Sequence, residues 1–282
     1  MATQHLHPGI PQPLDGLVTR IVAPNGGAMT GAGTNTYLVG AEEVVVIDPG
    51  PDDESHIEAI LQAAAGKPVR WILCTHTHVD HSPGAVRLKR RTGAPIAAMS
   101  APVTDHDFRL DPDRVLAADD LIQFAGVSLR AVHTPGHASN HVCFLLSSNG
   151  MLFTGDHIMQ GSTVVIWPPD GNMRAYLESL RRLLELDIRV LAPGHGYLIE
   201  SPHAEVERLI RHRLRREEKV RQAVQDAGRD STIETLLPSV YDDVPTALYE
   251  MAARSLRAHL DKLVEDGEVQ CLAGRYRAII SM

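Results

Sequence analysis

Cys74-Thr75-His76-Thr77-His78-Val79-Asp80-His81 puts three histidines and one aspartate within six residues. The run before it, Val69 to Leu73, reads as a buried strand. Ser82-Pro83-Gly84 after it opens a helical stretch. Imidazoles and a carboxylate on a sharp strand-to-helix turn suit a borderline divalent cation, and zinc fits such ligands best. His76 and His78 stand two apart in a near-extended segment, so their side chains point the same way. Asp80 and His81 lie past the bend and aim elsewhere, which suits a second cation.

The bulk properties bound the rest. A chain of 282 residues allows one large domain with a small appendage. A net charge of −8 provides no overall basic field for gathering nucleic acid, which argues against DNA. Cys74, Cys143 and Cys271 are far apart and form no CxxC pair, so reduced thiols in a cytoplasmic protein are expected. Met1 to Gly16 has prolines and histidines but no apolar core of a signal peptide, and no apolar run has the length to span a bilayer.

Leu17–Val22, Thr34–Val39 and Glu43–Ile47 read as short strands, the last ending at Asp48-Pro49-Gly50. The glycines between the first two lead into a strand and lack a GK[ST] ending, so they read as hairpin turns rather than a phosphate loop. Residues 54–65 carry Ile57, Ile60, Leu61 and Ala64 on one helical face, with Asp52 or Asp53 as cap. Strands follow over Pro95–Met99, in two runs around Gly126, and over Val142–Leu146 and Met151–Phe153. A helix over 173–186 precedes a short strand, Arg189–Leu191. One pattern recurs: an apolar strand ends in a turn bearing His or Asp, which lines functional groups along one sheet edge.

From about residue 203 the texture changes. A long helix to Ala227 is densely basic: Arg208, Arg211, Arg213, Arg215, Arg216, Lys219 and Arg221. It reads either as a solvated face between domains or as a strip contacting phosphates. Two more helices and a hairpin turning at Ala273-Gly274 give a winged-helix pattern over 231–282. That module has more acidic than basic residues, which suits capping the core or meeting a second copy in a homodimer better than gripping DNA.

The strand-end residues form a ligand set. His76, His78 and His137 suit one cation. Asp80, His81 and His195 suit the other, with Asp156 bridging both. Each cation keeps an open position for a shared water, the mark of a catalytic site. Two cations sharing a hydroxide permit attack on carbon or phosphorus near neutral pH. Asp80 and Asp156 are thus the carboxylates expected to act in catalysis.

The HxHxDH turn, the later TPGH, the TGD and the PGHG together resemble the metallo-β-lactamase superfamily over about residues 17–200. The resemblance implies an αββα sandwich with the metals at one edge and carries the seven ligands onto the positions named. The chain departs from the exported β-lactamases, which use a cysteine at the second metal. It departs from flavo-diiron relatives, which place a glutamate where His78 stands. Two Zn2+ per chain are therefore expected, with manganese or iron left open. Gly33-Thr34-Asn35-Thr36-Tyr37, His212 to Glu217 and the winged-helix-like end are most similar to the beta-lactamase-like protein 2 family. That resemblance implies a hydrolase domain over 1–202, a connecting helix over 203–230 and the terminal module over 231–282. It also implies cleavage of single-stranded RNA, with thioester, ester or lactone hydrolysis of a small acyl substrate as the alternative.

His141 and Trp167 are the candidate substrate contacts, His141 by its spacing from His137 and Trp167 as a stacking surface. His133 and His157 read as structural, and Asn35 and Tyr37 as hairpin residues. A non-catalytic nucleic-acid scaffold would have little need of a complete ligand set, so the sequence favours an enzyme.

Overall fold

The computed structural model describes residues 6–100, 107–228 and 231–279. The leader reading of Met1–Gly16 falls in part on residues outside these. The chain divides into two compact units, one of Met1–Thr134, Asn140–Thr163 and Leu186–Pro202, the other of Pro135–Ser139, Val164–Glu185 and His203–Met282.

The first unit has two sheets. Strands β1 (Gln12–Pro13), β2 (Val18–Val22), β3 (Asn35–Val39), β4 (Val44–Ile47), β5 (Val69–Leu73), β6 (Ile96–Ala98) and β7 (Arg114–Val115) lie side by side in chain order. The first four pair antiparallel, β2 and β3 across the longer segment 23–34, and β4 to β7 run parallel. Parallel neighbours need a crossover. Helices α1 (Glu54–Ala64) and α2 (Gly84–Thr92) supply the crossovers from β4 to β5 and from β5 to β6. Asp53 caps α1 by accepting the His56 N–H at 2.8 Å.

The second sheet contains β8 (Leu121–Phe124), β9 (Val127–His133), β10 (Val142–Leu146), β11 (Met151–Gly155) and β12 (Val190–Pro193), in the order β12-β11-β10-β9-β8. Its strands are antiparallel except β12, which runs parallel to β11. β11 and β12 therefore deliver their following turns to one end of the sheet.

One apolar cluster joins the two sheets: Tyr37, Val45, Ile47 and Leu73 from the first meet Leu129, Phe144 and Phe153 from the second. The Tyr37 and Phe153 ring centroids are 5.0 Å apart. A second cluster packs Ile57, Ile60 and Leu88 of α1 and α2 on the other face of the first sheet, against Leu38, Val46 and Ile72. The alternation of faces along β3 and β4 thus feeds two cores, which anchors both sides of the strands that bear Asp48 and the metal turn.

The second unit has α3 (Met173–Leu183), α4 (Pro202–Ala227), α5 (Ile233–Val240), α6 (Tyr249–Glu265) and the hairpin β13 (Val269–Leu272)–β14 (Arg275–Ala278). Val220 and Val224 of α4 share a core with Leu236, Leu256, Leu260, Leu263 and Tyr276.

The basic strip expected on α4 is not an open surface. Arg213 and Arg216 are only 3% and 6% exposed. Arg216 holds Asp243 at 2.8 and 3.0 Å. Arg208 pairs with Glu205, Arg211 with Glu207, Lys219 with Asp242, and Arg221 with Glu218 and Glu268. These six charges are buried or paired with acids of the same unit, while Arg215 is exposed. Among the described residues no helix is long and apolar enough to cross a membrane. The three cysteines form no disulfide.

His56 lies buried beneath β3, its Nε2 2.7 Å from Thr36 Oγ1, whose own proton goes to the Asp48 carbonyl. Burial lowers its pKa to about 4, against a smaller upward pull from Asp53. The neutral ring is the folded form, so its contribution is full above about pH 6.5 and is lost as pH falls toward 4. That loss amounts to about 3 kcal/mol. Urea unfolding at stepped pH should therefore show a steeper acid loss of stability for the wild type than for His56→Gln. Equal slopes would contradict this account.

Candidate metal centre

The metal turn begins where β5 ends and closes on itself. The N–H groups of His81 and Ser82 donate to the His78 carbonyl at 3.0 and 3.2 Å, and Ser82 Oγ donates to the Thr77 carbonyl at 3.0 Å. Asp48, at the end of neighbouring β4, holds the turn from beneath. Its Oδ1 accepts the Thr75 N–H at 2.7 Å, and its Oδ2 accepts the Thr75 hydroxyl at 2.7 Å and His81 Nδ1 at 2.9 Å.

Those bonds set ring tautomers. His81 donates Nδ1–H to Asp48, which turns its buried Nε2 toward Asp156. The Thr75 hydroxyl proton is spent on Asp48, so its oxygen can only accept from His76 Nδ1 at 3.0 Å. His195 faces the Gly33 carbonyl with Nδ1 at 3.3 Å. In the second unit, His137 directs Nδ1 to the Val165 carbonyl at 2.8 Å. In all four rings Nδ1 is thus engaged and Nε2 is the nitrogen left for a cation.

Asp80, His81, Asp156 and His195 converge. Each offers a ligand atom, all within 4.8 Å of one another. His195 Nε2 is 3.3 Å from Asp80 Oδ2 and 3.3 Å from Asp156 Oδ1, and His81 Nε2 is 3.3 Å from Asp156 Oδ1. Burial pulls the His81 pKa down, but Asp80, Asp156 and Asp48 outweigh it and leave it well above the usual value. Burial pushes Asp80 up, and His81 and His195 outweigh it in turn. His76 and His78 sit beside this group with ring centroids 4.5 Å apart, and His76 lies 4.4 Å from the His81 ring. Buried imidazole lone pairs facing clustered carboxylates fit a divalent cation by geometry and by donor chemistry.

Glycines make the approach possible. A Cβ on Gly194 would lie 2.7 Å from His81 Cε1 and 3.0 Å from Asp156 Oδ1. One on Gly155 would lie 2.4 Å from Thr75 Oγ1, and its φ of 45° already favours glycine.

The candidate substrate contacts His141 and Trp167 have partners within the protein, and His157 and His133 sit in the fold itself. His141 is fully buried, with Nδ1 2.9 Å from Thr134 Oγ1 and Nε2 accepting the Asp156 N–H at 3.2 Å. It supports the Asp156 turn. Trp167 carries the Arg254 guanidinium 3.3 Å from its ring centroid, so that face is not open for stacking. His157 is fully buried, and His133 is the last residue of β9.

Asn35 and Tyr37 do more than form a hairpin. Asn35 Nδ2 donates to the Pro193 and Gly196 carbonyls at 2.9 Å each, and Tyr37 Oη donates to the Pro193 carbonyl at 2.7 Å. They strap down the turn that bears His195. Sequence reasoning missed them, and it also missed Asp48. Asp48 carried a visible signal, as an aspartate ending a strand like the ligands themselves.

Known proteins agree with this geometry. Residues 29–195 match the metallo-beta-lactamase superfamily model, and residues 232–275 match the beta-lactamase associated winged helix domain. The beta-lactamase-like protein 2 homolog of Drosophila melanogaster is 33% identical over 273 residues, covering 90% of this chain and 89% of that protein. The atrochrysone carboxyl ACP thioesterase of Aspergillus chevalieri is 32% identical over 266 residues, covering 89% of this chain and 82% of that one. In fold, the chain is similar to a beta-lactamase domain protein from Burkholderia ambifaria, with a TM-score of 0.82 at 20% identity over 99% of this chain and 96% of that one. The two-sheet α/β sandwich, the histidine and aspartate cluster at its strand ends and the winged helix that follows thus identify the chain as a hydrolase of the metallo-β-lactamase superfamily.

Proposed function

We propose that this chain is a dinuclear zinc hydrolase that cleaves a small acyl thioester or ester. The observation that carries the proposal is the convergence of Asp80, His81, Asp156 and His195 beside His76 and His78, with ring tautomers already set. In this reading Asp80, His81 and His195 would hold one cation, His76, His78 and His137 are the candidate ligands of the other, and Asp156 would contribute a carboxylate. The bound cations would lower the pKa of a water between them and polarise the substrate oxygen.

The residues themselves do the positioning. His81 and His195 keep Nε2 turned inward because Asp48 and Gly33 hold their other nitrogens. Asp156 is fixed at its backbone by His141. The Asp80 side chain is 27% exposed, more than those of His81, Asp156 and His195, so it alone of the four stands where a proton can pass to solvent or to a leaving group.

Two observations favour an acyl substrate over RNA. Relatives along most of the chain are named as acyl carrier protein thioesterases. Most cations of α4 that would have met a phosphate backbone are buried or paired with acids, Arg215 being exposed. The scattered cysteines keep a reducing, cytoplasmic setting part of the proposal.

Elemental analysis of the purified protein should find two zinc per chain, and Asp156→Ala should abolish turnover on acyl thioesters assayed beside single-stranded RNA. A protein devoid of transition metal would sink the proposal. Salt-sensitive RNA cleavage without thioesterase activity would reassign the substrate. Asp48→Asn should weaken zinc binding by roughly 10- to 100-fold, as loss of a ligand-orienting carboxylate does elsewhere. Competition with a chromophoric chelator measures this, and unchanged affinity would remove Asp48 from the site.

A further inference from the structure

His137 lies in a short turn that its own unit grips at several points. Ser179 Oγ donates to the Pro135 carbonyl at 2.8 Å, and the Asn172 N–H donates to the Gly136 carbonyl at 2.8 Å. The Ser139 N–H donates to Asp170 Oδ2 at 2.8 Å. His137 itself donates Nδ1–H to the Val165 carbonyl. Every one of these partners belongs to the stretch 164–185.

Helices α4 and α6 hold that stretch in turn. The Arg213 guanidinium donates to the Val164 carbonyl and lies 5.2 Å over the Tyr176 ring. Arg254 covers Trp167. Arg213 is a costly choice for this place. It is 3% exposed, its Nε has no hydrogen-bond partner, and among the described residues no carboxylate stands within ion-pair distance. A methionine would fill similar volume without the cost of burying a charge. What the guanidinium adds is a donor fixing the peptide next to Val165, the group that sets the His137 ring.

We infer that Arg213 is a positioning residue for the cation held by His137: the terminal helices fix the Val164–Val165 backbone, and that backbone fixes the imidazole. The inference rests on the reading of His137 as a metal ligand.

Zinc titration of the metal-free protein against a chromophoric chelator tests it. His137→Ala identifies the ion that His137 holds. Arg213→Met should weaken that same ion by roughly 10- to 100-fold and leave the other unchanged. Arg213→Lys, which keeps the charge but not the planar fork, should restore part of the loss. In the His137→Ala background, Arg213→Met should have no further effect. If Arg213→Met weakens both ions alike, or neither, the inference is overturned. Should circular dichroism show that this variant does not fold, Arg254→Met on the more exposed side decides: selective weakening of the His137 ion supports the inference and no weakening overturns it. A wild type that takes up no zinc would defeat the metal reading itself, and the inference with it.

Discussion

The Asp48 carboxylate carries the metal turn. It is 2% exposed and accepts three donors from the neighbouring strand end. A buried carboxylate is costly unless such bonds replace its water. Its own φ of 50° lies in the left-handed region, which costs an L-residue roughly 1–2 kcal/mol and which aspartate tolerates better than most. Bonds and backbone together place one charge under β5, and from that charge follow the orientation of His81, the tautomer of His76 and the path of the loop.

The second sheet reaches the same edge by a different route. Gly155 and Gly194 bring two strand ends closer than any side chain would allow, against Thr75 and His81. Asn35 and Tyr37 then hold the His195 turn through the Pro193 and Gly196 carbonyls. Both sheets thus contribute candidate ligands to one point, and backbone carbonyls from one sheet meet side-chain donors from the other. The apolar cluster between the sheets supplies the rigidity such placement needs, since packed interiors deform little.

Charge is distributed differently in the second unit. Most cations of α4 neutralise acids of their own unit or lie under aromatic rings, as Arg216 does 4.2 Å from the Tyr241 centroid. The helix that looked most suited to a polyanion is therefore largely an internal scaffold. A run of arginines reads the same in sequence whether its partners are phosphates or carboxylates that fold back from 27 to 47 residues away.

Much was legible before any coordinates. Strand and helix positions follow the period of apolar residues, a local property, and β10, β11, α1 and α6 lie close to where that period puts them. The metal turn was legible because its ligands are neighbours in the chain, and Asp156 and His195 because each follows a strand end. The roles of Asp48, Asn35, Tyr37 and His141 were not, because each acts through partners that only sheet register brings near. The burial of Arg213 and Arg216 was hidden for the same reason. Sequence by itself determined which groups are present and which elements carry them. Tertiary structure decided which nitrogen each ring turns inward and which charges stay available, because hydrogen-bond direction and desolvation depend on distances between segments far apart in the chain.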